Sequence, residues 1–357
     1  MLKVFICLLF IIPSCIVFGQ EQAVVSTAVP FLNIAPDARG GGMAETGVAG
    51  RPDVYSMYYN ASRYAFVKER GGVAFSYLPW MRNLIKGQNL FSLNGYYCLG
   101  EKQTIAAGIR YLKGDDFAGT GATGESAGSF SPSDYVLEAA YSRRFGRCFS
   151  AALTFKYIRT GLGELKMPDA DGCDPSGAVA FDISCFYQKK MDGIWLSVWR
   201  VGVNISNIGS KIAYMTVGKE AYLPANLRLG GAYEMRVNYW HRVSVSLDIN
   251  KLMVRTYDPD KKDESVLKNI AGSFGNEKFL KSIVWQLGAE YEWRELLAVR
   301  AGYFHESEIY GYRQYLTLGG GVARKGFMLD ASYLFPTGEK DAPYKNTFKL
   351  SLGYCFK

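Results

Sequence analysis

The stretch Val243-Ser244-Val245-Ser246-Leu247-Asp248-Ile249-Asn250 alternates strictly. Val243, Val245, Leu247 and Ile249 are apolar, and Ser244, Ser246, Asp248 and Asn250 between them are polar. Successive side chains of a β-strand point to opposite faces, so this period makes a strand with one apolar and one polar face. The same rule holds elsewhere. Phe149, Ala151, Leu153, Phe155 and Tyr157 oppose Ser150, Thr154 and Lys156; Trp285, Leu287, Ala289 and Tyr291 oppose Gln286, Gly288, Glu290 and Glu292; Leu297, Val299, Ala301 and Tyr303 oppose Arg300 and Gly302.

Fourteen candidate strands of this kind run through the chain, at 71–80, 88–99, 103–113, 134–145, 148–160, 176–189, 194–206, 225–237, 241–252, 282–293, 296–306, 314–323, 326–335 and 346–356. Most span about 10–14 residues, longer than the ~5–6 of an ordinary soluble strand and suited to a tilted bilayer crossing. The connections alternate as well. Those after even-numbered candidates are short (Gly100–Lys102, Gly146–Arg147, Lys190–Gly193, Asn238–Trp240, Arg294–Glu295, Arg324–Lys325). Those after odd-numbered candidates are mostly long (Gly114–Ser133, Gly161–Pro175, Asn207–Pro224, Met253–Lys281). Short turns on one side and long loops on the other are the pattern of an outer-membrane barrel, and an even strand number puts both termini on the short-turn, periplasmic side. The last candidate aligns Phe348, Leu350, Leu352, Tyr354 and Phe356 on one face, with an aromatic penultimate residue.

Composition agrees. The chain has 357 residues with Tyr 25, Phe 21 and Gly 39, an aromatic and glycine-rich balance that suits a β-protein. This length would ordinarily suggest two domains, but a large barrel is one. Lys3, the apolar run Val4–Ile12 and the small residues around Val17-Phe18-Gly19 read as a secretory signal over 1–19, cut before Gln20. Pro13 interrupts the apolar run, and no later stretch offers about 18 apolar residues in a row for a spanning helix. The net charge is +8, but Lys and Arg form no stripe, and an exported chain does not meet nucleic acid. Cys7 and Cys15 would leave with the signal; Cys98, Cys148, Cys173, Cys185 and Cys355 allow at most one or two disulfides and lack metal-site spacing.

The expectation is therefore an all-β transmembrane antiparallel β-barrel of about fourteen strands over 71–357. A charge on the lipid face near the midplane costs about 2–4 kcal/mol for Arg or Lys. Glu138, Lys156, Asp182, Arg200, Arg228, Asp248, Glu290, Arg300 and Asp330 are therefore expected to face the lumen, where their mixed signs suit a hydrogen-bonded network. Residues 20–70 do not alternate and are long enough to enter the lumen as a hatch; Asp37, Arg39, Gly40, Gly41, Asp53 and Asn60 are its candidate functional residues. Arg39-Gly40-Gly41-Gly42 is not a phosphate loop, because no Gly-Lys-Ser/Thr follows. The glycines there read as allowing tight turns and close packing. Asp169-Ala170-Asp171-Gly172 lacks the Glu that completes a calcium loop, and the acidic run 258–264 reads as a solvated loop tip. No motif implies a cofactor or metal. Trp195, Trp199, Trp240, Trp285 and Trp293 read as interface girdle residues. Gly119–Gly128 reads as a Gly/Ser/Thr-rich loop.

Five stretches carry a resemblance: IAPDARGGGMAETGVAG at 34–50, YYNASRYAF at 58–66, SYLPWMRNL at 76–84, ISNIGSKIAY at 205–214 and LPANLRLGGAYE at 223–234. Together they resemble the PorV (LptO) family, within the superfamily of FadL-type outer-membrane transporters. The superfamily usually has Asn-Pro-Ala where this chain has Asn60-Ala61-Ser62. The resemblance implies a fourteen-strand barrel with an N-terminal hatch, embedded in outer-membrane lipid and lipopolysaccharide, and membership of the type IX secretion system. It further implies a shuttle. Cargo with a C-terminal signal domain would be taken from the large type IX translocon barrel and passed to a surface attachment complex containing a sortase-like protease. The loops 114–133, 207–224 and 253–281 would carry partner contacts, since loops on a rigid scaffold usually do. A FadL-like channel for hydrophobic small molecules is the alternative, weakened by the charged lumen. A lipid-modifying hydrolase is a third reading. It would need a nucleophile, a base and an acid together, but the only histidines, His241 and His305, fall at opposite ends of the barrel.

Overall fold

A computed structural model of the protein describes residues 27–357 apart from 82–86, 116, 121–125, 131–132, 162–175, 192–195, 214–219, 256–263, 276–278 and 339–341. The signal-like segment 1–19, Cys173, Trp195, the Asp169–Gly172 run and Asp258–Asp263 lie outside the described residues.

Fourteen antiparallel strands close into one barrel. They are β1 (Gly71–Pro79), β2 (Asn89–Cys98), β3 (Gln103–Lys113), β4 (Ser133–Phe145), β5 (Phe149–Gly161), β6 (Ser176–Met191), β7 (Leu196–Gly209), β8 (Asn226–Arg236), β9 (His241–Leu252), β10 (Ile283–Trp293), β11 (Leu297–His305), β12 (Gln314–Arg324), β13 (Phe327–Pro336) and β14 (Phe348–Phe356). Each strand pairs with its sequence neighbours, and β1 pairs with β14 from Gly71↔Phe356 to Tyr77↔Leu350, which removes both sheet edges.

The alternation decides the two faces. On β9, Leu247 is 47% exposed and Val245 45%, while Ser246 and Asp248 are buried at 4% and 0%. Leu93, Leu153, Ile183, Val201, Leu318 and Leu352 are likewise more than half exposed on other strands. Large apolar side chains outward and polar ones inward is the arrangement of a sheet solvated by lipid. Aromatic residues gather at both rims. Trp199 packs on Tyr233, and Arg294 lies over Trp240 and Trp293, at the short-turn end; Trp285 packs on Tyr303 and His305 at the other. Tyr and Trp favour the interface because their rings are amphipathic.

The long connections hold more structure than alternation alone suggests. The described ends of the Gly119–Gly128 stretch lie in a hairpin that pairs Phe117–Thr120 with Ser126–Phe130. A second small hairpin joins Ile212–Ala213 to Glu220–Ala221, and a short helix spans Val266–Gly272. Strand β7 runs to Gly209, three residues beyond the sequence boundary. A register shift between Phe181 and Ile183 frees the Asp182 carboxylate to accept from the Asn207 N–H (2.8 Å), and the Asn207 side chain donates to the Pro224 carbonyl (3.1 Å). Asn207 has φ 60, a left-handed value that Asn tolerates better than most residues. Cys98, Cys148, Cys185 and Cys355 are free thiols.

Leu247→Arg places a charge near the middle of the outward face of β9. It is expected to destabilise the barrel by about 2–4 kcal/mol, read by urea unfolding in lipid bilayers.

Candidate functional site

The interior of the barrel is the candidate site, because the N-terminal segment and the inward charges meet there. The segment forms four short helical pieces: 3-10 turns at Pro30–Asn33 and Ala61–Phe66, and α-helical turns at Ala38–Gly41 and Ser56–Tyr59. Asp37 caps the second piece, accepting from the Gly40 N–H at 2.7 Å and from the Tyr59 hydroxyl at 2.7 Å. Burial pushes the Asp37 carboxyl above its usual range, against the opposing pull of these two hydrogen bonds. Asn60 caps the last piece: its amide accepts from the Ser62 N–H and donates to the carbonyls of Val48 and Cys185. Ala61 follows at the first helical position, where proline's fixed φ is merely pre-organised. The turn therefore forms with alanine at this position.

The segment lies against the barrel wall along a track of inward glycines. A Cβ on Gly202 of β7 would stand 2.3 Å from the Val48 carbonyl oxygen; on Gly230 of β8, 2.8 Å from Val48 Cβ; on Gly288 of β10, 2.7 Å from the Met43 carbonyl; on Gly302 of β11, 2.5 Å from the Ala44 nitrogen. Gly319 of β12 meets Gly42 in the same way. Contact at this range requires residues without a side chain. It also buries the segment's backbone, which must be paired. The wall supplies the partners. Asp248 accepts from the N–H groups of Gly47 (2.7 Å) and Val48 (2.9 Å); Thr317 accepts from Ala44 and donates to the Gly42 carbonyl; Ser351 accepts from Ala38.

All nine strand charges singled out from the sequence are buried, each at 6% exposure or less. They fall into separate groups. Glu290 of β10 receives Arg39 in bidentate fashion (3.0 and 3.2 Å) and Arg300 of β11 (2.6 Å), and Arg300 also reaches Asp330 of β13 (2.8 Å). Arg39 also pairs with Asp53, which in turn accepts from Arg63 at 3.2 Å. A second group runs Arg110–Glu138–Lys156–Asp182 across β3 to β6, with contacts of 3.0, 3.5 and 2.6 Å. Arg200 pairs with Glu234 at 2.9 Å, and Arg228 donates to the Tyr58 hydroxyl at 2.7 Å. Among the six N-terminal candidates, Arg39 and Asp53 share the first group. Gly40 packs on the Tyr59 ring and Gly41 on Lys349, while Asp37 and Asn60 cap.

At the long-loop end a cavity of about 860 Å³ remains, lined by Asn33, Asn226, Arg228, Asn250, Gln286 and the Glu306–Arg313 pair among others.

The sequence matches the family described as "Type IX secretion system protein PorV" over residues 18–259. The chain belongs to the PorV family. Three of the PorV-like stretches meet in the interior: Val48 and Ala49 of the first lie on Gly230 of the last, and Tyr58 of the second bonds Arg228 of the last. No curated protein sequence matches the chain. Among solved structures, the fold is similar to the Ralstonia pickettii toluene transporter TbuX (TM-score 0.53, 10% identity, 91% of this chain and 100% of that one). It is also similar to the Pseudomonas putida toluene transporter TodX (0.52, 12%, 93% and 98%) and to the CymD monoaromatic hydrocarbon channel (0.53, 12%, 90% and 98%). At such identities the likeness is one of fold. The shared fold is the closed antiparallel barrel.

Sequence reasoning did not single out Arg110, Arg63, Glu234, Glu292 or the glycine track. Arg110 and Glu234 carried the same signal as the charges that were chosen, an ionisable residue on the polar face of a strand. Gly288 and Gly302 already stood on polar faces in the alternation, but only the packed segment shows why those positions are empty.

Two paired substitutions test this packing. Gly230→Ala should push the segment off the wall and open residues 42–49 to protease, whereas Gly231→Ala, which faces open space, should not. Asp37→Ala should cost about 1 kcal/mol through the lost cap. Asp37→Asn keeps a capping oxygen and sheds the buried charge, so its urea midpoint should equal or exceed that of the parent.

Proposed function

We propose that this outer-membrane component of the type IX secretion system is a shuttle. It receives cargo bearing a C-terminal signal domain from the large translocon barrel. It delivers that cargo to the surface attachment complex, where a sortase-like protease anchors it to lipopolysaccharide. Family membership supplies the system. The observation that carries the shuttle reading is the filled interior: the N-terminal segment is bonded to the wall by Asp248, Thr317, Ser351 and the Arg39–Glu290 pair, so it serves as a hatch that closes the lumen. A barrel closed in this way works from its rim, and the long connections 114–133, 207–224 and 253–281 supply the surface for partners. Termini and short turns then face the periplasm.

The reading requires binding rather than chemistry. His241 bonds the Tyr291 hydroxyl at 2.6 Å, and His305 stacks on Trp285. Both occupy outward positions of their strands, at opposite ends of the barrel. The second reading, a channel for hydrophobic small molecules, is favoured by the fold shared with TbuX, TodX and CymD. The interior cavity sets Leu252, Val284, Phe304 and Ile309 beside Asn226, Arg228, Asn250 and Glu306, so a purely hydrocarbon ligand would also meet polar and charged wall.

Deleting the gene should leave proteins with the C-terminal signal domain inside the cell or unanchored, as read by surface proteolysis of intact cells. Normal surface display in the deletion strain would sink the shuttle reading. Saturable fatty-acid binding to the purified barrel would favour the channel.

A further inference from the structure

We propose that the connection between β9 and β10 is bedded in the outer leaflet, with one apolar face of its helix set against lipid. This inference rests on the barrel and not on the shuttle reading. The decisive observation is where the connection runs. Leu227 pairs with Lys251, and Lys251 with Ile283, in an outward row across β8, β9 and β10 at the long-loop end. The next outward row toward the middle of the wall, Leu229, Ile249 and Trp285, is exposed. Lys251 is buried instead, with the ring of Phe279 5.8 Å from its ammonium. The connection therefore folds over the outside of the wall there.

Phe274 stacks on Phe279, with centroids 6.2 Å apart, and Leu280 follows Phe279 in the chain. Leu280 is 80% exposed, and Leu267 of the helix Val266–Gly272 is 72% exposed. Leu267, Ala271 and Phe274 are spaced i, i+4, i+7 and are all exposed, so they share one face. The other side of the helix packs: the Asn269 side chain accepts from the Arg255 N–H (3.3 Å), and Gly272 lies on the Arg255 guanidinium. Two observations select lipid as the cover of the apolar face. The face continues the lipid-facing belt. Ile283 lies two residues beyond the girdle residue Trp285, about 7 Å along the strand, and the headgroup zone extends about 5–8 Å beyond the hydrocarbon. Charge agrees. Among the described residues of the connection, Arg255, Lys268 and Lys281 stand against Glu264 alone, which is itself paired with Arg255 (3.1 Å) and Lys268 (3.3 Å). Lysines beside an apolar face are the composition of an interfacial helix: the stems lie along the acyl boundary and the ammonium groups reach anionic headgroups.

The test uses the intact protein in nanodiscs of phosphatidylcholine and phosphatidylglycerol. Benzoylphenylalanine replaces Phe274, Leu280 or, as a control on an exposed charged position at the same end, Glu220, and irradiated samples are read by mass spectrometry. Phospholipid adducts should form at positions 274 and 280 about tenfold more than at 220. Leu267→Asp combined with Leu280→Asp should lift the connection from the lipid. Trypsin cleavage after Lys268 and Lys281 should then quicken by about tenfold, because cleavage follows the open fraction. Heat-modified gel migration verifies that the doubly substituted chain is still a folded barrel. Three results overturn the proposal. These are adduct yields at 274 and 280 no higher than at 220, cleavage that the paired substitution leaves unchanged, and, in whole cells, cross-links from 274 and 280 to a protein in place of lipid.

Discussion

A backbone N–H or C=O without a partner costs several kcal/mol in hydrocarbon, and the pairing of β1 with β14 is what removes that cost. Until this last ladder forms, the sheet has two open edges at membrane depth. Once it forms, every strand has two neighbours, and the alternation of each strand is converted into an inside and an outside. The rest of the structure follows. Leu247, Leu318 and Leu352 face lipid because the closed sheet gives them nowhere else to point, and Asp248, Arg300 and Asp330 face inward for the same reason.

Closure creates a second problem, which the N-terminal segment solves. A wall that turns so many ionisable groups inward must pair them, since losing one partner of a buried ion pair costs about 3–5 kcal/mol. Part of the pairing comes from neighbouring strands, as in the Arg110–Glu138–Lys156–Asp182 chain. The segment adds Arg39 to Glu290 and Arg51 to Glu292. The wall returns the service through Asp248, Thr317 and Ser351, which satisfy segment backbone that has no ladder of its own. Segment and wall therefore form one polar network, and the glycine track sets how closely they approach.

The same geometry separates what is shared with other barrels from what is particular. The closed sheet is common to TbuX and TodX at about a tenth of sequence identity, because lipid dictates it. Three of the five stretches that resemble the PorV family meet where segment and wall touch, around Val48, Tyr58 and Gly230.

Alternation made the strands legible, because a two-residue period survives without knowledge of any partner. It placed strand ends to within a few residues and put Glu138, Lys156, Asp248 and Arg300 on the polar face. It was silent on the short helix Val266–Gly272 and the hairpin at Phe117–Phe130, whose periods are too brief to register. It also left residues 27–70 without a path, since irregular backbone has no period. The sequence by itself determined the number of strands, their length and which face each side chain takes, for those are local consequences of the pleat. Only the tertiary structure decided that Gly202, Gly230, Gly288 and Gly302 form one track, that Arg39 finds Glu290, and that Asn226 and Asn250 line one cavity. Those are distances between residues far apart in the chain, and closing the ring is what fixes them.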